Sequence, residues 1–453
     1  MRRRPFDAYV NWHATALIVP ARMSQRCAWA CQFPHGRVQR RCARSALGHT
    51  VAMSSARAPL AVTLWLGAVV GAAAFAYTVI PVLAPEVARE ASLPVTFVGW
   101  YTAAVWLSQI FLSTSSGSLI PRYGAWRLTQ VCVVCCALGL GCAATGTVWG
   151  VAAGALLLGL GHGLEGPASS QLLSQFVPPR RQPLLFSLKQ SGVQVGSFAA
   201  SASIPMIALA LGWRQACLIV AVLLMVSAAL LQRAMNRWPA PAMPAGPRIG
   251  PVESLRRLAA SRDLRRMSLC AGAFAATQIC LNGWFVTYAV AERGASLVLA
   301  GQWLAVAQAG GFFGRILWGW VASHSGKPSA VLRGLGLVTT ACAAVLGLFG
   351  AQMAEVWMWP LLALFGLTAA GWNGVFLAEV SLRVPPAEVG SATGAVMVVM
   401  TAGLVGGPLA FGAVASFAGF GPAYLMAAAV ALFGVAVLPR SEARSLPSSQ
   451  GEC

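Results

Sequence analysis

The chain has 453 residues, of which 57% are hydrophobic and 10% are charged, and its formal net charge is +20. The low charge content and the mean hydropathy of +0.69 exclude an ordinary soluble domain, because such domains carry about 25% charged residues. The basic residues are dispersed along the chain, which argues against a nucleic-acid-binding surface.

The segment 1–56 is expected to lie outside the folded part of the chain. It contains nine Arg and one acid and shows neither a helical nor a strand period. The leading interpretation is a disordered extension or a mis-assigned start, with translation beginning at Met53 or Met23. A transit peptide is the alternative, because such segments are Arg-rich and poor in acids. The spacing of the three cysteines in this segment matches no zinc pattern, so no metal site is predicted.

From residue 58 onward the sequence is a succession of long uncharged runs. A helix that crosses a bilayer needs about 20 residues, so the two longest runs must each contain two helices, broken near Gly146 and near Gly419 to Pro422. The runs are apolar on all sides, whereas the surface helices of soluble domains keep a polar stripe. The pattern predicts twelve membrane-spanning helices. The runs without Lys, Arg, Asp or Glu are 58–85, 91–121, 128–164, 190–213, 215–232, 267–291, 294–314, 334–354, 356–378 and 389–439.

The loop charges predict the orientation. Lys and Arg in short loops stay on the cytoplasmic side of a membrane. If the N-terminus is inside, the outer loops hold only Arg89, Arg214 and Arg293, and the other loop cations face the cytoplasm. We therefore expect a multi-pass protein of the plasma (inner) membrane with both termini in the cytoplasm.

An internal repeat divides the spans into two halves. The glycine-bounded segment Gly117–Gly124 after the second span recurs as Gly319–Gly326 after the eighth, and Gly196 recurs as Gly403. A Pro-rich and then basic segment separates the two copies. The predicted organisation is a basic extension over 1–56, an N-terminal six-helix half over 57–235, a cytoplasmic linker over 236–266, a C-terminal six-helix half over 267–440 and a polar tail over 441–453.

These features resemble the major facilitator superfamily over about residues 58 to 440. The signature loop of that family, Gly-x-Leu-x-Asp-Arg-x-Gly-[Arg/Lys]-[Arg/Lys], stands here as Gly117-Ser-Leu-Ile-Pro121-Arg122-Tyr-Gly124, with Pro121 in place of the Asp. The resemblance implies an all-α membrane protein with twelve transmembrane helices in two six-helix pseudo-repeated halves. It also implies a secondary transporter without cofactor or enzymatic activity, in which Gly117, Arg122 and Gly124 contribute to gating.

Ionisable residues inside the spans are the candidate functional residues, because each costs at least about 2.5 kcal/mol in a bilayer. Glu165 is the deepest acid, and His162 lies one turn before it on the same helical face. A carboxylate there can take up and release a proton as the central cavity changes its access. The alternative interpretation is that Glu165 is neutral, or that it caps a backbone broken by glycines next to Pro167. His162 is either functional or a hydrogen-bond donor to a neighbouring helix.

Lys189, Gln190 and Gln194 open the fifth span within about one and a half helical turns. Together they offer a cation and two amides to an anionic substrate, which favours a carboxylate or a similar small anion. The alternative is that Lys189 extends to the cytoplasmic interface while its apolar stem stays in the membrane.

Arg315 and Glu379 are placed near the cytoplasmic ends of the eighth and tenth spans. If they pair in one conformation and separate in another, they form a latch at the inner gate. The alternative is two independent charges at the interface. His324 and Lys327 lie in the second-half copy of the signature loop and share the gating interpretation.

Polar and aromatic residues of three spans are predicted to line the cavity, since amides give orientation and rings give contact area to a small solute. Packing or interface anchoring is the alternative for the tryptophans. These residues are Tyr77, Gln278, Asn282, Trp284, Trp372 and Asn373.

The sequence contains no phosphate-binding loop, so either an ion gradient or facilitated diffusion must drive transport. The predicted substrate is a small organic solute, with an organic anion as the leading class and the proton as the coupling ion. Efflux of amphiphilic compounds is the alternative, because Gly406-Gly407-Pro408 resembles the kink of drug antiporters. A non-transporting membrane sensor is a remote alternative. The expected partners are the substrate and the lipid bilayer, with the chain acting as a monomer.

Overall fold

The computed structural model describes residues 58–94, 96–177, 182–239, 261–383 and 389–439, and the regular secondary structure in these ranges is helical. The predicted extension, most of the predicted linker and the predicted polar tail lie outside the described residues. The helices are α1 Ala58–Glu90, α2 Phe97–Tyr123, α3 Ala125–Ala143, α4 Val148–Phe176, α5 Gln182–Leu211, α6 Trp213–Arg237, α7 Arg262–Arg293, α8 Leu297–Ser325, α9 Pro328–Phe349, α10 Glu355–Ala369, α11 Trp372–Arg383, α12 Val389–Ala418 and α13 Phe420–Val437.

The helices in the described ranges have the length and composition of membrane spans. Eleven segments are long and apolar enough to cross a bilayer, and one of them, Glu355–Leu377, runs through α10 into α11. In the 27-residue α2 the apolar stretch found among the described residues is Phe97–Ser113. Eleven spans and α2 confirm the predicted all-α membrane fold.

Two of the predicted helix breaks depend on glycine. Gly146, with φ +71°, lies between α3 and α4, and Gly419, with φ +90°, lies between α12 and α13. Residues with a Cβ rarely adopt a positive φ, so glycine allows the chain to reverse within a few residues. Both predicted breaks are confirmed. Pro422 lies in the first turn of α13, where its missing N–H group has no intrahelical partner to lose.

The two halves, α1–α6 and α7–α13, use equivalent close contacts between helices. Gly71 of α1 packs against Gly196 of α5, and Gly272 of α7 packs against Gly403 of α12. A Cβ on Gly196 or Gly403 would overlap the backbone of its partner, so only glycine allows this approach. Since Gly196 and Gly403 are paired by the sequence repeat, these contacts confirm the pseudo-repeat.

The bundle has two ends, which we call the termini end and the far end. Helix α1 begins at the termini end and each following span reverses direction, so the end of α1, the start of α2 and the turn at Gly212 lie at the far end. An ion pair of 2.6 Å between Glu90 and Arg214 joins the end of α1 to the start of α6 there.

The halves pack against each other near the far end. Helix α2 contacts α12, and α5 contacts α8. A Cβ on Gly99, in the first turn of α2, would lie 2.8 Å from the Pro408 carbonyl oxygen and 2.8 Å from the Trp284 ring. Gly301, near the start of α8, packs in the same way against Pro205, near the end of α5. Small residues thus close the boundary between the halves at the far end.

Candidate functional site

A buried chain of three polar side chains connects α4 to α5. The Lys189 ammonium donates to the Ser169 hydroxyl at 2.7 Å, and this hydroxyl donates to Glu165 Oε1 at 2.6 Å. Lys189 Nζ lies 3.6 Å from Glu165 Oε1, and the two side chains are only 3% and 6% exposed. Glu165 is the eighteenth residue of the 29-residue α4, so the chain lies at the middle of the span. We call Glu165, Ser169 and Lys189 the charge triad.

Helix geometry and a small neighbour explain why the charge triad forms. Glu165 and Ser169 are four residues apart on α4 and share one face. Gly192 of α5, three residues after Lys189, lets α5 approach α1, since a Cβ there would overlap the Gly67 carbonyl oxygen. The ammonium also lies 5.9 Å from the centroid of the Phe186 ring, within range of a cation–π interaction. Lys189 is therefore buried, and the alternative that it extends to the membrane interface is wrong.

Three rings of the first half lie beside the charge triad. The His162 ring centroid is 5.6 Å from both the Tyr77 and the Trp106 ring centroids, and the last two are 6.0 Å apart. Among the described residues, His162 Nδ1 is buried without a hydrogen-bond partner. The Tyr77 hydroxyl is 3.5 Å from Ser197 Oγ, at the limit of a hydrogen bond. We call Tyr77, Trp106 and His162 the aromatic wall.

The His162 ring belongs to the aromatic wall, although the sequence pattern associated this residue with Glu165. The residue lies one turn before Glu165, close enough for an electrostatic interaction with the carboxylate. Its ring nevertheless packs against the rings of Tyr77 and Trp106, while the Glu165 carboxylate accepts from Ser169. The sequence pattern did not single out Trp106, because a tryptophan in an apolar run is more often a packing residue than a site residue.

A second polar chain crosses the boundary between the halves. Gln194 Nε2 of α5 donates to Gln308 Oε1 of α8 at 3.3 Å, and Gln308 Nε2 donates to Asn282 Oδ1 of α7 at 3.1 Å. Gln194 and Asn282 are predicted site residues, and the structure brings them together through Gln308. The sequence signal for Gln308 was a buried amide inside the uncharged run 294–314, where a polar group needs a partner.

The other predicted cavity residues of the second half bond within that half. Trp372 Nε1 donates to Gln278 Oε1 at 3.1 Å, and Trp284 Nε1 donates to the Pro408 carbonyl oxygen at 3.2 Å. Both tryptophans are buried, whereas Asn373 is half-buried in the first turn of α11. Trp284 belongs to the closed far end in this conformation.

Arg315 and Glu379, the predicted latch, do not pair in this structure. Glu379 Oε1 accepts from Arg383 Nη2 at 2.5 Å and from Arg383 Nε at 2.8 Å. Arg383 Nη1 also reaches Asp263 Oδ2 at 3.1 Å. Arg383 lies one turn after Glu379 on α11 and reaches the carboxylate without any contribution from α8. In this conformation the predicted Arg315–Glu379 pair is therefore replaced by a network within the second half.

Arg315 lies instead at the boundary between the halves. It is the nineteenth residue of the 29-residue α8, nearer the middle of the span than predicted. Its Nη1 donates to the Gln190 carbonyl oxygen of α5 at 3.1 Å, so Gln190 contributes its backbone while its exposed side chain points elsewhere. The guanidinium is close enough to Tyr77 for an electrostatic interaction. Arg315 Nε is buried and has no hydrogen-bond partner among the described residues.

The signature loop lies at the termini end, between α2 and α3. Arg122 is exposed and its guanidinium lies 5.2 Å from the centroid of the neighbouring Tyr123 ring. Gly124, with φ +84°, makes the turn from α2 into α3. Gly117 belongs to α2, but its surroundings lie outside the described residues. A gating role for these residues stays a prediction.

The second copy of the loop also makes local contacts. The His324 ring lies 4.4 Å from the Trp320 ring, and its Nδ1 is 3.0 Å from the Trp320 carbonyl oxygen. Lys327 is exposed and immediately precedes α9. Their gating role likewise stays a prediction.

A small cavity remains between the aromatic wall and the closed far end. Tyr77, Tyr101, Trp106 and Asn282 are among its lining residues, and its volume is about 10 Å³. This is about the space that one water molecule needs. The cavity itself is therefore too small to hold an organic solute.

Two pseudo-repeated halves of membrane-spanning helices, with polar groups buried between helices, are an architecture that many secondary transporters share. The sequence matches the family model of the Major Facilitator Superfamily over residues 64–405, which is well over half of the chain. The chain belongs to this superfamily, as its sequence motifs predict. No curated protein matches the sequence significantly.

Solved structures show the same fold at low sequence identity. A bacterial homolog of the human lysosomal transporter Spinster, in an inward-facing and unoccupied conformation, superimposes with a TM-score of 0.66 and 18% identity, covering 85% of this chain and 95% of that chain. Its inward-facing and occupied form gives a TM-score of 0.64 and 18% identity over the same shares. The fucose:proton symporter of E. coli gives a TM-score of 0.56 and 15% identity, covering 84% of this chain and 98% of that chain.

Proposed function

We propose that this chain moves a small organic anion across the plasma membrane together with protons, by alternating access. The charge triad is the observation that supports the proposal. It joins a buried acid and a buried base through one hydroxyl at the middle of a span. Intramembrane charges are expensive and are retained where they serve transport. Proton coupling is also compatible with the fold, since one solved neighbour is described as a fucose:proton symporter.

Protonation of Glu165 links the proton to the anion. When the carboxylate is neutralised, Lys189 becomes an unpaired cation in a low-dielectric interior, which costs several kcal/mol. An anion that enters the boundary between the halves offsets this cost. Because coupling between two binding events is reciprocal, the anion then also favours the protonated carboxylate. The two ligands bind together and leave together, which is the requirement for symport.

The loop charges give the direction of access. Since Lys and Arg in short loops stay cytoplasmic, both termini are inside and the far end faces outward. The present conformation, closed around Gly99 and Gly301, is then an inward-facing one. Opening to the outside requires these contacts between the halves to separate. One chain contains both halves, so we propose that the monomer is the transporting unit.

A thermal-shift screen of the purified full-length protein tests the substrate class. The panel contains mono- and dicarboxylates, sugars and hydrophobic cationic dyes, because a ligand of the folded state raises the Tm. The proposal predicts stabilisation by carboxylates, and stronger stabilisation at acidic than at neutral pH. Stabilisation by hydrophobic cations alone, lost in Glu165→Gln, would contradict it and favour efflux of amphiphilic compounds.

A further inference from the structure

We propose that Arg315 binds the anionic group of the transported solute and that the aromatic wall packs against the rest of the molecule. The substrate class that fits is a monocarboxylate with a planar apolar body, above all an aromatic one. This inference rests on the proposed transport of an organic anion and adds the location and the shape of the ligand.

Arg315 is a cation without a carboxylate partner among the described residues. The buried acids near the middle and the termini end of the bundle already have bases: Glu165 pairs with Lys189, and Glu379 pairs with Arg383. A guanidinium between membrane-spanning helices therefore keeps its positive charge available. An anion from outside the protein can neutralise it.

The hydrogen-bonding groups of Arg315 are only partly used. A guanidinium has five N–H donors. In this structure Nη1 donates to the Gln190 carbonyl oxygen, whereas the buried Nε has no partner among the described residues. The planar fork of an arginine matches the two oxygens of a carboxylate, and such bidentate pairs are among the strong hydrogen bonds of proteins. A carboxylate is thus the group that completes this site.

Lys189 is less suited to hold the anion. Its ammonium donates to Ser169 and lies 3.6 Å from the Glu165 carboxylate. It is 3% exposed, so an anion would have to enter the contact between α4 and α5 to reach it. Lys189 therefore attracts the anion electrostatically without touching it, whereas Arg315 makes the direct contact.

The aromatic wall supplies a surface for the apolar part of the solute. Two turns before Arg315 on α8, Gln308 donates to Asn282, which lines the cavity beside the aromatic wall. Within this wall the Tyr77 ring lies 6.0 Å from Trp106 and 5.6 Å from His162. The Tyr77 hydroxyl holds Ser197 only at 3.5 Å and so remains able to donate to a carboxylate. His162 Nδ1 offers a further polar atom without a partner among the described residues. Ring faces and edges give contact area to a planar or aromatic body.

The position of Arg315 also connects binding with conformational change. Arg315 belongs to α8 of the second half, whereas Gln190 and the aromatic wall belong to the first. An anion held between them contacts both halves at once. A ligand that contacts both halves favours the conformation in which the halves lie close together around Arg315. Binding of a transported substrate has to change the balance between conformations in this way.

Calorimetric titration of the purified full-length protein tests the inference. Benzoate, acetate and benzyl alcohol are the probes, because they separate the charge from the ring. Wild type is expected to bind benzoate more tightly than either of the others. Arg315→Gln should weaken benzoate binding at least about tenfold and remove its advantage over benzyl alcohol. Trp106→Leu should reduce the preference for benzoate over acetate.

Two further variants make the result unambiguous. Arg333→Gln removes one positive charge of α9 whose hydrogen bonds, among the described residues, go to carbonyl oxygens just after α13, and its benzoate affinity should equal that of wild type. Arg315→Lys keeps the charge without the fork and should weaken benzoate measurably even if Arg315→Gln does not fold. Unchanged benzoate affinity in the folded Arg315 variants would overturn the inference and leave anion transport standing. A wild type that binds no carboxylate would overturn both proposals.

Discussion

Removing one charge of the charge triad should cost far more stability than removing both. In Glu165→Gln the Lys189 ammonium keeps its bond to Ser169 but loses the carboxylate 3.6 Å away, and it stays 3% exposed. Loss of one partner from a buried pair costs about 3–5 kcal/mol, because the remaining charge is left in a low-dielectric interior. In the double variant Glu165→Gln/Lys189→Met no charge remains and the side-chain volumes are nearly conserved. Its expected cost is about 1 kcal/mol.

The assay is the Tm of the purified proteins in detergent. For a chain of this length about 1 kcal/mol corresponds to about 1 °C, so Glu165→Gln should melt about 3–5 °C below wild type and the double variant about 1 °C below. Arg89→Gln is the control, because it breaks an exposed pair with Glu86, at 2.7 Å, in which Arg89 is 77% exposed; its Tm should match wild type. Equal losses in the single and double variants would refute the reasoning.

Three further substitutions, two of them with a matched control variant, test the packing and the charge network. Gly196→Ala should lower the Tm strongly, because its Cβ overlaps the backbone of α1, whereas Gly141→Ala, whose Cβ meets nothing within 4 Å, should leave the Tm unchanged or raise it. Gly99→Ala places a Cβ 2.8 Å from the backbone of the other half and should loosen the closed far end. An impermeant maleimide should then label a cysteine introduced into the α1–α2 turn more strongly than it does without this substitution. Arg383→Gln deprives the buried Glu379 of its donors and should lower the Tm by the equivalent of about 1–3 kcal/mol, while Arg383→Lys should recover part of the loss.

The fold was predictable from the sequence because it depends on features that act locally. Charged residues mark the ends of the spans, and glycines such as Gly146 and Gly419 mark turns that need a positive φ. The glycine repeat went further, since Gly196 and Gly403 prove to be equivalent contact points in the two halves.

The site residues were partly predictable, but their partners were not. Glu165 and Lys189 stand out as rare charges within apolar runs, yet they lie on different helices. A helix that is apolar on all sides has no polar stripe to define its rotation, so the sequence does not say which charge faces which. The same reason explains Arg315, which was predicted to meet Glu379 and instead contacts the Gln190 backbone. Glu379 pairs instead with Arg383, which lies one turn later on the same helix.

Proton-driven uptake in reconstituted liposomes tests the central claim most directly. The probe is the carboxylate that stabilises the wild type most in the thermal screen, and internal pH is recorded with a trapped dye while an acidic outside pH is imposed. The account predicts that anion and protons enter together in wild type, and that Glu165→Gln exchanges the anion without moving protons. Equal proton entry in Glu165→Gln, or anion uptake in wild type that ignores the pH gradient, would contradict the account.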